Sequence, residues 1–273
     1  MTSGKSWSRR GRQLLRKIVV VISLAALLLL WQAAVLAFHI PSFLLPAPTV
    51  ILESMATNWP ILLRHGAVTL AETLAGFGLS VIVGIPLAVC IVMSQIIEWI
   101  LYPLLVASQA VPKVALAPLL LVTLGYGAMP KVIIAFLIAF FPVVVNTVTG
   151  LTSVNREMLR LLSSMGASRR DIFLKVRFPY AVPAMIAGFK VAIALAVVGA
   201  VVGEFVGGRS GLGYYMLVAT GNFDTPLIFA CIVVLTVMGV ALFYAVSIFE
   251  VLLARFYRAV KPGRADEPGS WSM

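Results

Sequence analysis

Chemistry needs ionisable or nucleophilic side chains brought together, and this chain offers few of them. Its two histidines, His39 and His65, stand outside or at the margin of long apolar runs. Within those runs there is no His/Asp/Glu cluster and no Ser–His pair, so the acid, base and nucleophile of an intramembrane enzyme are missing. The segment GGRSGLG, with Gly207, Gly208, Gly211 and Gly213, has no Lys-Ser/Thr after its last glycine and no strand before it. It is therefore not a phosphate loop but a tight turn, and any nucleotide has to be bound by another chain. Cys90 and Cys231 lie inside apolar runs as small hydrophobes and provide neither a disulfide framework nor a metal site.

What remains are single charges where a charge is unfavourable. Lys113, Lys190 and Glu204 interrupt apolar runs, and such residues ordinarily face a cavity or one another. Lys113, in mid-run, either attracts an anionic solute along a pathway or neutralises a carboxylate such as Glu204. Glu204 stands near the end of its run, where it is either that partner or simply hydrated. Lys190 has a stem long enough to carry its ammonium to water along a helix, so it reads as a snorkelling residue before a pathway one. Glu72, also near the end of a run, is read as structural. Pro112 precedes Lys113, with Pro103 and Pro118 on either side. Each proline frees a carbonyl that must find another partner in hydrocarbon, which leaves either a broken helix lining a pathway or a kinked structural one.

Docking is a different chemistry, and it is written in residues 157–179, EMLRLLSSMGASRRDIFLKVRFP. Arg156, Arg160, Arg169, Arg170, Lys175 and Arg177 make this stretch basic, while Met158, Leu161, Leu162, Met165, Ile172, Phe173 and Val176 recur at helical spacing. Gly166 is placed to stop one helix and Ser168 to cap the next. A basic, amphipathic helical hairpin is an element that a partner protein can grip.

The elements that hold these residues are set by composition. The chain is 61% hydrophobic and 11% charged, with a mean hydropathy of +1.05. Soluble domains carry about 25% charged residues, so this is an all-α polytopic membrane protein. Six runs have the roughly 20-residue length of a membrane span: Ile18–Phe38, Ala67–Met93, Trp99–Leu121, Val132–Leu151, Ala181–Val206 and Leu227–Leu253. With the N-terminus inside, 16 of the 21 Lys and Arg residues are cytoplasmic, against Arg64, Lys131 and Arg209 outside. The net charge of +11 is thus the positive-inside signal and not a nucleic-acid footprint.

Three regions follow. Residues 1–17 form a basic cytoplasmic segment, 18–255 the transmembrane domain with its hairpin at 155–180, and 256–273 a Pro/Gly/Ser-rich cytoplasmic tail expected to be disordered. The first run follows a basic segment, yet it exceeds a signal-peptide core and five spans follow it, so it is read as an uncleaved helix. Between the first two spans, Pro48 and Thr49 open a helical pattern, and Trp59 suits a membrane interface.

Small residues indicate how the spans pack. Gly76, Ser80, Gly84 and Ala88 step by four in the second span, as do Ala184, Gly188, Ala192, Ala196 and Ala200 in the fifth. Such rows let backbones approach closely, so both helices should be buried and not lipid-facing. A four-residue step drifts around a helix of 3.6 residues per turn, so the fifth-span row is expected to wind over several neighbours.

Gly166 followed by Ala167 and Ser168, and Val176-Arg177-Phe178-Pro179 downstream, stand at the spacing of the EAA loop of ABC-importer permeases. The Glu-Ala-Ala positions themselves read Arg160-Leu161-Leu162, with Glu157 as the acidic residue upstream. The runs PSFLLPAPTVI at 41–51, PKVALAP at 112–118, GEFVGGRSGLGYYM at 203–216 and NFDTPLIFA at 222–230 also resemble the nitrate/sulfonate/taurine branch of that family. The resemblance extends from about residue 40 to 255.

That resemblance implies a type I importer permease with six transmembrane helices and a cytoplasmic coupling hairpin. It implies a pair of permeases in a bacterial cytoplasmic membrane, both termini inside, with two ATPases that bind ATP and Mg and a solute-binding protein outside. Glu157, Leu161, Leu162, Met165, Gly166, Ala167, Ser168, Ile172, Phe173 and Pro179 are then the ATPase-coupling residues, and Pro112, Lys113, Lys190 and Glu204 the candidates for the pathway. The solute would be a nitrate-, sulfonate- or taurine-like anion or a related small organic compound, with no catalysis and no cofactor on this chain. The alternative, a secondary transporter or channel without an ATPase, lacks the internal inverted repeats common in such folds and leaves the hairpin unexplained.

Overall fold

The computed structural model describes the backbone of residues 9–258, and these are almost wholly helical. The start of the basic N-terminal segment and residues 259–273 of the tail expected to be disordered lie outside the described residues. In order the helices are α1 (Arg9–Ala37), α2 (Pro48–Thr57), α3 (Trp59–Met93), α4 (Gln95–Ala107), α5 (Ala117–Leu124), α6 (Ala128–Thr152), α7 (Arg156–Ser164), α8 (Arg169–Ile172), α9 (Phe178–Gly207), α10 (Leu212–Gly221) and α11 (Thr225–Arg258).

Four of the expected spans appear as single helices long and apolar enough to cross a bilayer: α3, α6, the continuous Arg169–Gly207 and α11. The expected third span is instead α4 and α5, bent by 85°. Val111 and Pro112 are extended at the break, between the 3₁₀ turns Ser108–Ala110 and Lys113–Leu116. The cause is Pro112, which has no amide hydrogen to donate and keeps the residue before it out of helical geometry. In α1, a helix of 29 residues, the apolar stretch among the fully described residues is Ile22–Ala37. Four spans, or five with the bent pair, are therefore evident among the described residues against the six expected.

The described residues divide into two compact units. One comprises the residues up to Arg64 together with Tyr215–Val234. There, Gln32 of α1 donates from Nε2 to Thr49 Oγ1 at 3.1 Å and accepts from the Thr49 amide at 3.2 Å. Pro48 stands at the first position of α2, where its missing N–H has no role to fill. Trp31 packs on Phe229 with ring centroids 5.8 Å apart, and the Thr225 hydroxyl donates to the Phe43 carbonyl at 2.6 Å.

The other unit comprises His65–Tyr214 and the chain from Leu235 onward, and its centre is the antiparallel pair α6 and α9. A Cβ built at Gly203 would lie 2.7 Å from Lys131 Cα, at Gly199 2.6 Å from Ala135 Cα, at Gly188 2.9 Å from the Pro142 carbonyl, and on Gly150 of α6 2.8 Å from the Ala181 carbonyl. Gly188, Ala192, Ala196 and Ala200 are buried as the small-residue row requires. Much of the row lies on α6: Ala184 meets Gly150, Gly188 meets Pro142 and Asn146, and Ala192 and Ala196 cluster with Ala139 and Val143. Gly76 and Gly84 of α3 close on Ala135 and Val143 of the same helix. Phe77, Val81 and Ile85 complete the core around Ala139, Val143, Ala192 and Ala196.

A side chain at Gly188 has to push the two backbones apart. Gly188→Val is expected to destabilise the folded protein by about 1–3 kcal/mol, read as a lowered midpoint of thermal unfolding in detergent. Gly239→Ala, where a Cβ meets nothing within 4 Å, should leave the midpoint unchanged. Equal midpoints for both variants would show that α6 and α9 do not approach this closely.

Candidate functional site

The basic hairpin forms where the sequence places it. Asn155 caps α7 by accepting the Glu157 amide at 2.8 Å. Gly166 then takes a φ of +82°, a left-handed conformation in which a side chain is strained. Ser168 starts α8 by accepting the Asp171 amide at 3.1 Å and donating to the Asp171 carboxylate at 2.5 Å. Asp171 also pairs with Lys175 at 2.6 Å on the surface. Phe173–Arg177 form a single π turn that joins α8 to α9 without interruption, so the second leg of the hairpin is the foot of a membrane helix.

The hairpin residues separate into two groups. Leu161 and Met165 are 60% and 75% exposed, and Glu157, Gly166 and Ser168 are exposed with them. Leu162, Ala167, Ile172 and Pro179 are half-buried. Phe173 is an anchor: it packs against Leu151, Ala181 and Met185 and stands 6.4 Å from the Phe178 ring. An apolar tip is thereby presented on a leg fixed to the core.

Lys113 stands in the 3₁₀ turn just past the break. It donates to Gln109 Oε1 at 2.6 Å and lies 6.0 Å from the centre of the Phe141 ring. It does not pair with Glu204. Lys190 does not reach water alone; it pairs with Glu250 at 2.5 Å and lies 5.7 Å from the Phe243 ring. Pro112 is exposed at the bend.

Glu204 is fully buried and not hydrated. Its Oε1 accepts from the Thr69 hydroxyl at 2.7 Å, and its Oε2 accepts from the Gly213 amide at 2.6 Å. The Leu212 amide donates to Thr69 Oγ1 at 2.8 Å, and the Gly211 amide to His65 Nδ1 at 3.0 Å. Gly211, at φ +108°, lies against the carboxylate so closely that a Cβ would overlap it. The glycine run thus wraps the Glu204 carboxylate and replaces the water it would otherwise need.

Beside it, Lys131 pairs with Glu72 and donates to the Ser210 carbonyl at 3.4 Å, with Lys131 3% and Glu72 4% exposed. Lys131 is therefore a buried residue of the first turn of α6, which begins at Ala128. Sequence reasoning missed this network of His65, Thr69, Glu72 and Lys131. One signal was available: His65, Thr69 and Glu72 follow one another at four and three residues, on one face of α3.

Residues 76–259 match the family described as binding-protein-dependent transport system inner membrane component. The chain belongs to that family. It is a membrane permease component of ABC importers. The permease is 36% identical over 228 residues to the formylaminopyrimidine transport permease protein ThiX of Halalkalibacterium halodurans, covering 83% of this chain and 91% of ThiX. It is 38% identical over 237 residues to the riboflavin transport system permease protein RibX of Chloroflexus aurantiacus, covering 86% and 88%. With the taurine transport system permease protein TauC of Escherichia coli it shares 28% identity over 238 residues, covering 82% and 84%. Its fold matches a chain of the inward-facing MetNI methionine ABC transporter with a TM-score of 0.62 at 19% identity, covering 76% of this chain and 99% of that one.

The Lys131–Glu72 pair gives the permease a measurable weak point. Lys131→Met strands a buried carboxylate and should lower stability by about 3–5 kcal/mol, whereas Lys131→Met with Glu72→Leu should recover most of the loss. Unfolding midpoints of the purified single and double variants decide this. A double variant no more stable than the single one would show that the two residues do not depend on each other.

Proposed function

We propose that the permease, as a pair of copies, forms the translocation pathway of an ATP-driven importer in a bacterial cytoplasmic membrane. Two cytoplasmic ATPases bind ATP and Mg and grip the α7–α8 hairpin; a solute-binding protein delivers the solute from outside. Family membership supports the ATPase and binding-protein partners. The observation that carries the reading is the hairpin tip: Leu161 and Met165 are exposed around the left-handed Gly166, on a leg continuous with α9. Isolated apolar residues on a surface need no explanation, but an apolar tip inside a basic hairpin marks a contact.

The pairing rests on the family and not on the small-residue row of α9, which α6 of the same chain already covers. Val191, Ala194 and Val198 are left exposed on the opposite face of α9 and offer a surface for the second copy.

For the solute, ThiX and RibX are named for heteroaromatic compounds and TauC for a sulfonate. The permease accordingly carries a small organic solute of this kind. Lys113 supports that reading, since its ammonium beside the Phe141 ring, next to the break in the α4–α5 pair, supplies a charge for an acidic group and an aromatic face for a ring.

In the assembled importer, Met165→Asp or Gly166→Val should lower coupled ATP hydrolysis tenfold or more, on the order of the penalty for a charge stranded in an apolar groove. Membrane insertion should be unchanged, and the intact mass of the wild-type complex should contain two permeases and two ATPases. Normal coupling in both variants, or solute uptake by the permease without an ATPase, would sink the reading. Separately, Lys113→Met should reduce uptake of an acidic solute by about tenfold, the worth of one charged contact, and Lys113→Arg should reduce it less. Unchanged uptake in Lys113→Met would remove this residue from the pathway.

A further inference from the structure

The hairpin tip and the break in the α4–α5 pair leave one charged cavity unexplained. It has a volume of about 220 Å³ and is lined by Ile91 of α3, Glu98 of α4, Val148 and Leu151 of α6, Arg156 of α7 and Arg177 of the π turn. We propose that this cavity binds the phosphate headgroup of an anionic membrane lipid.

The chemistry of the lining selects that ligand. Neither the Arg156 nor the Arg177 side chain forms an ion pair or hydrogen bond with any other described residue, and Glu98, on the same wall, pairs with neither. Two guanidiniums and one carboxylate leave a net positive charge and a set of forked N–H donors without acceptors. A phosphate is the group whose oxygens match such forks in pairs. Beneath the charges the floor is apolar, formed by the half-buried Val92, Val148 and Leu159. A free anion gains nothing from that floor, whereas the glycerol and first methylenes of a lipid do. The volume is also below the roughly 300–1,000 Å³ of sites that enclose a whole organic ligand, which favours a headgroup whose tails remain in the bilayer.

Position agrees with chemistry. The cavity lies where α6 ends and the hairpin begins, and this inference rests on the proposed cytoplasmic placement of the hairpin. Basic recesses between spans on that side attract anionic headgroups. Arg156 belongs to the first leg of the hairpin and Arg177 to the second, so one phosphate held by both would tie the legs together and couple lipid composition to the pose of the tip.

The test uses the full-length permease without its ATPase, so that its outcome is independent of the docking experiment. The protein is equilibrated with vesicles of phosphatidylcholine alone or of phosphatidylcholine with phosphatidylglycerol, extracted, and its retained lipid counted by native mass spectrometry. The wild type should keep phosphatidylglycerol in preference to phosphatidylcholine. R156Q/R177Q should keep roughly 25-fold less, from about a fivefold loss for each basic residue at an anionic surface. R156K/R177K should fall between them, since charge remains but the paired geometry is lost, and R209Q should match the wild type. If R156Q/R177Q does not fold, R156Q and R177Q are read singly against the same fivefold expectation. Equal retention of the two lipids by the wild type, or undiminished phosphatidylglycerol on the glutamine variants, overturns the proposal. So does displacement of the lipid by inorganic phosphate, which would make this a free-anion site. In the full complex, a glutamine variant that keeps its lipid but loses the ATPase would instead assign the cavity to the ATPase contact.

Discussion

Between apolar helices in lipid there is no hydrophobic driving force, so cohesion comes from how closely backbones approach. In this permease the closest approach is between α6 and α9, where glycines on one helix meet backbone atoms of the other from Gly203 and Lys131 at one end to Ala181 and Gly150 at the other. Everything chemical in the larger unit hangs on that contact. It brings Lys131 to Glu72, gives α3 a surface on which Gly76 and Gly84 can close, and fixes the foot of α9 from which the hairpin projects. A methyl group inserted along this line meets backbone, not a flexible side chain, and backbone cannot yield without moving a whole helix.

α9 carries a different kind of chemistry at each end. At one end its helix continues through the π turn into the second leg of the hairpin, with Phe173 held against Leu151, Ala181 and Met185. At the other, Glu204 is enclosed by Thr69 and the Gly213 amide. A carboxylate in this position replaces lost hydration with hydrogen bonds drawn from the loop that follows its own helix, so the loop is fixed by the group it solvates. The hairpin and the buried polar network are thereby attached to the two ends of one continuous helical segment, Arg169–Gly207.

The α4–α5 segment contrasts with this rigidity. With an 85° bend and two 3₁₀ turns around Pro112, it has surrendered the regular hydrogen bonding that hydrocarbon demands. Irregular backbone at membrane depth is tolerated where it is covered by protein or lines an aqueous cavity. Lys113, held by Gln109 and lying near Phe141, is the charged residue at that point.

Local properties were legible in the residues alone. Four spans follow from hydropathy, the stop and start inside the hairpin from Gly166 and Ser168, the start of α2 from Pro48, and the burial of the small-residue rows from their spacing. Each depends on neighbours within a few turns. Partnerships across the chain were not legible: Thr69 and Glu204 are 135 residues apart, Lys190 and Glu250 60 apart, and no periodicity of 3.6 encodes which helix another will face. For that reason Lys113 and Glu204, for which pairing was one of the readings left open by the residues alone, have separate partners, and Lys131, whose place at the end of a run names no partner, is buried against Glu72. The sequence by itself determined that this chain is a helical membrane protein with a basic amphipathic hairpin, because length, hydropathy and caps are local. Which charges neutralise one another, and how sharply Pro112 turns the chain, only the tertiary structure decided, because those depend on which backbones come close enough to touch.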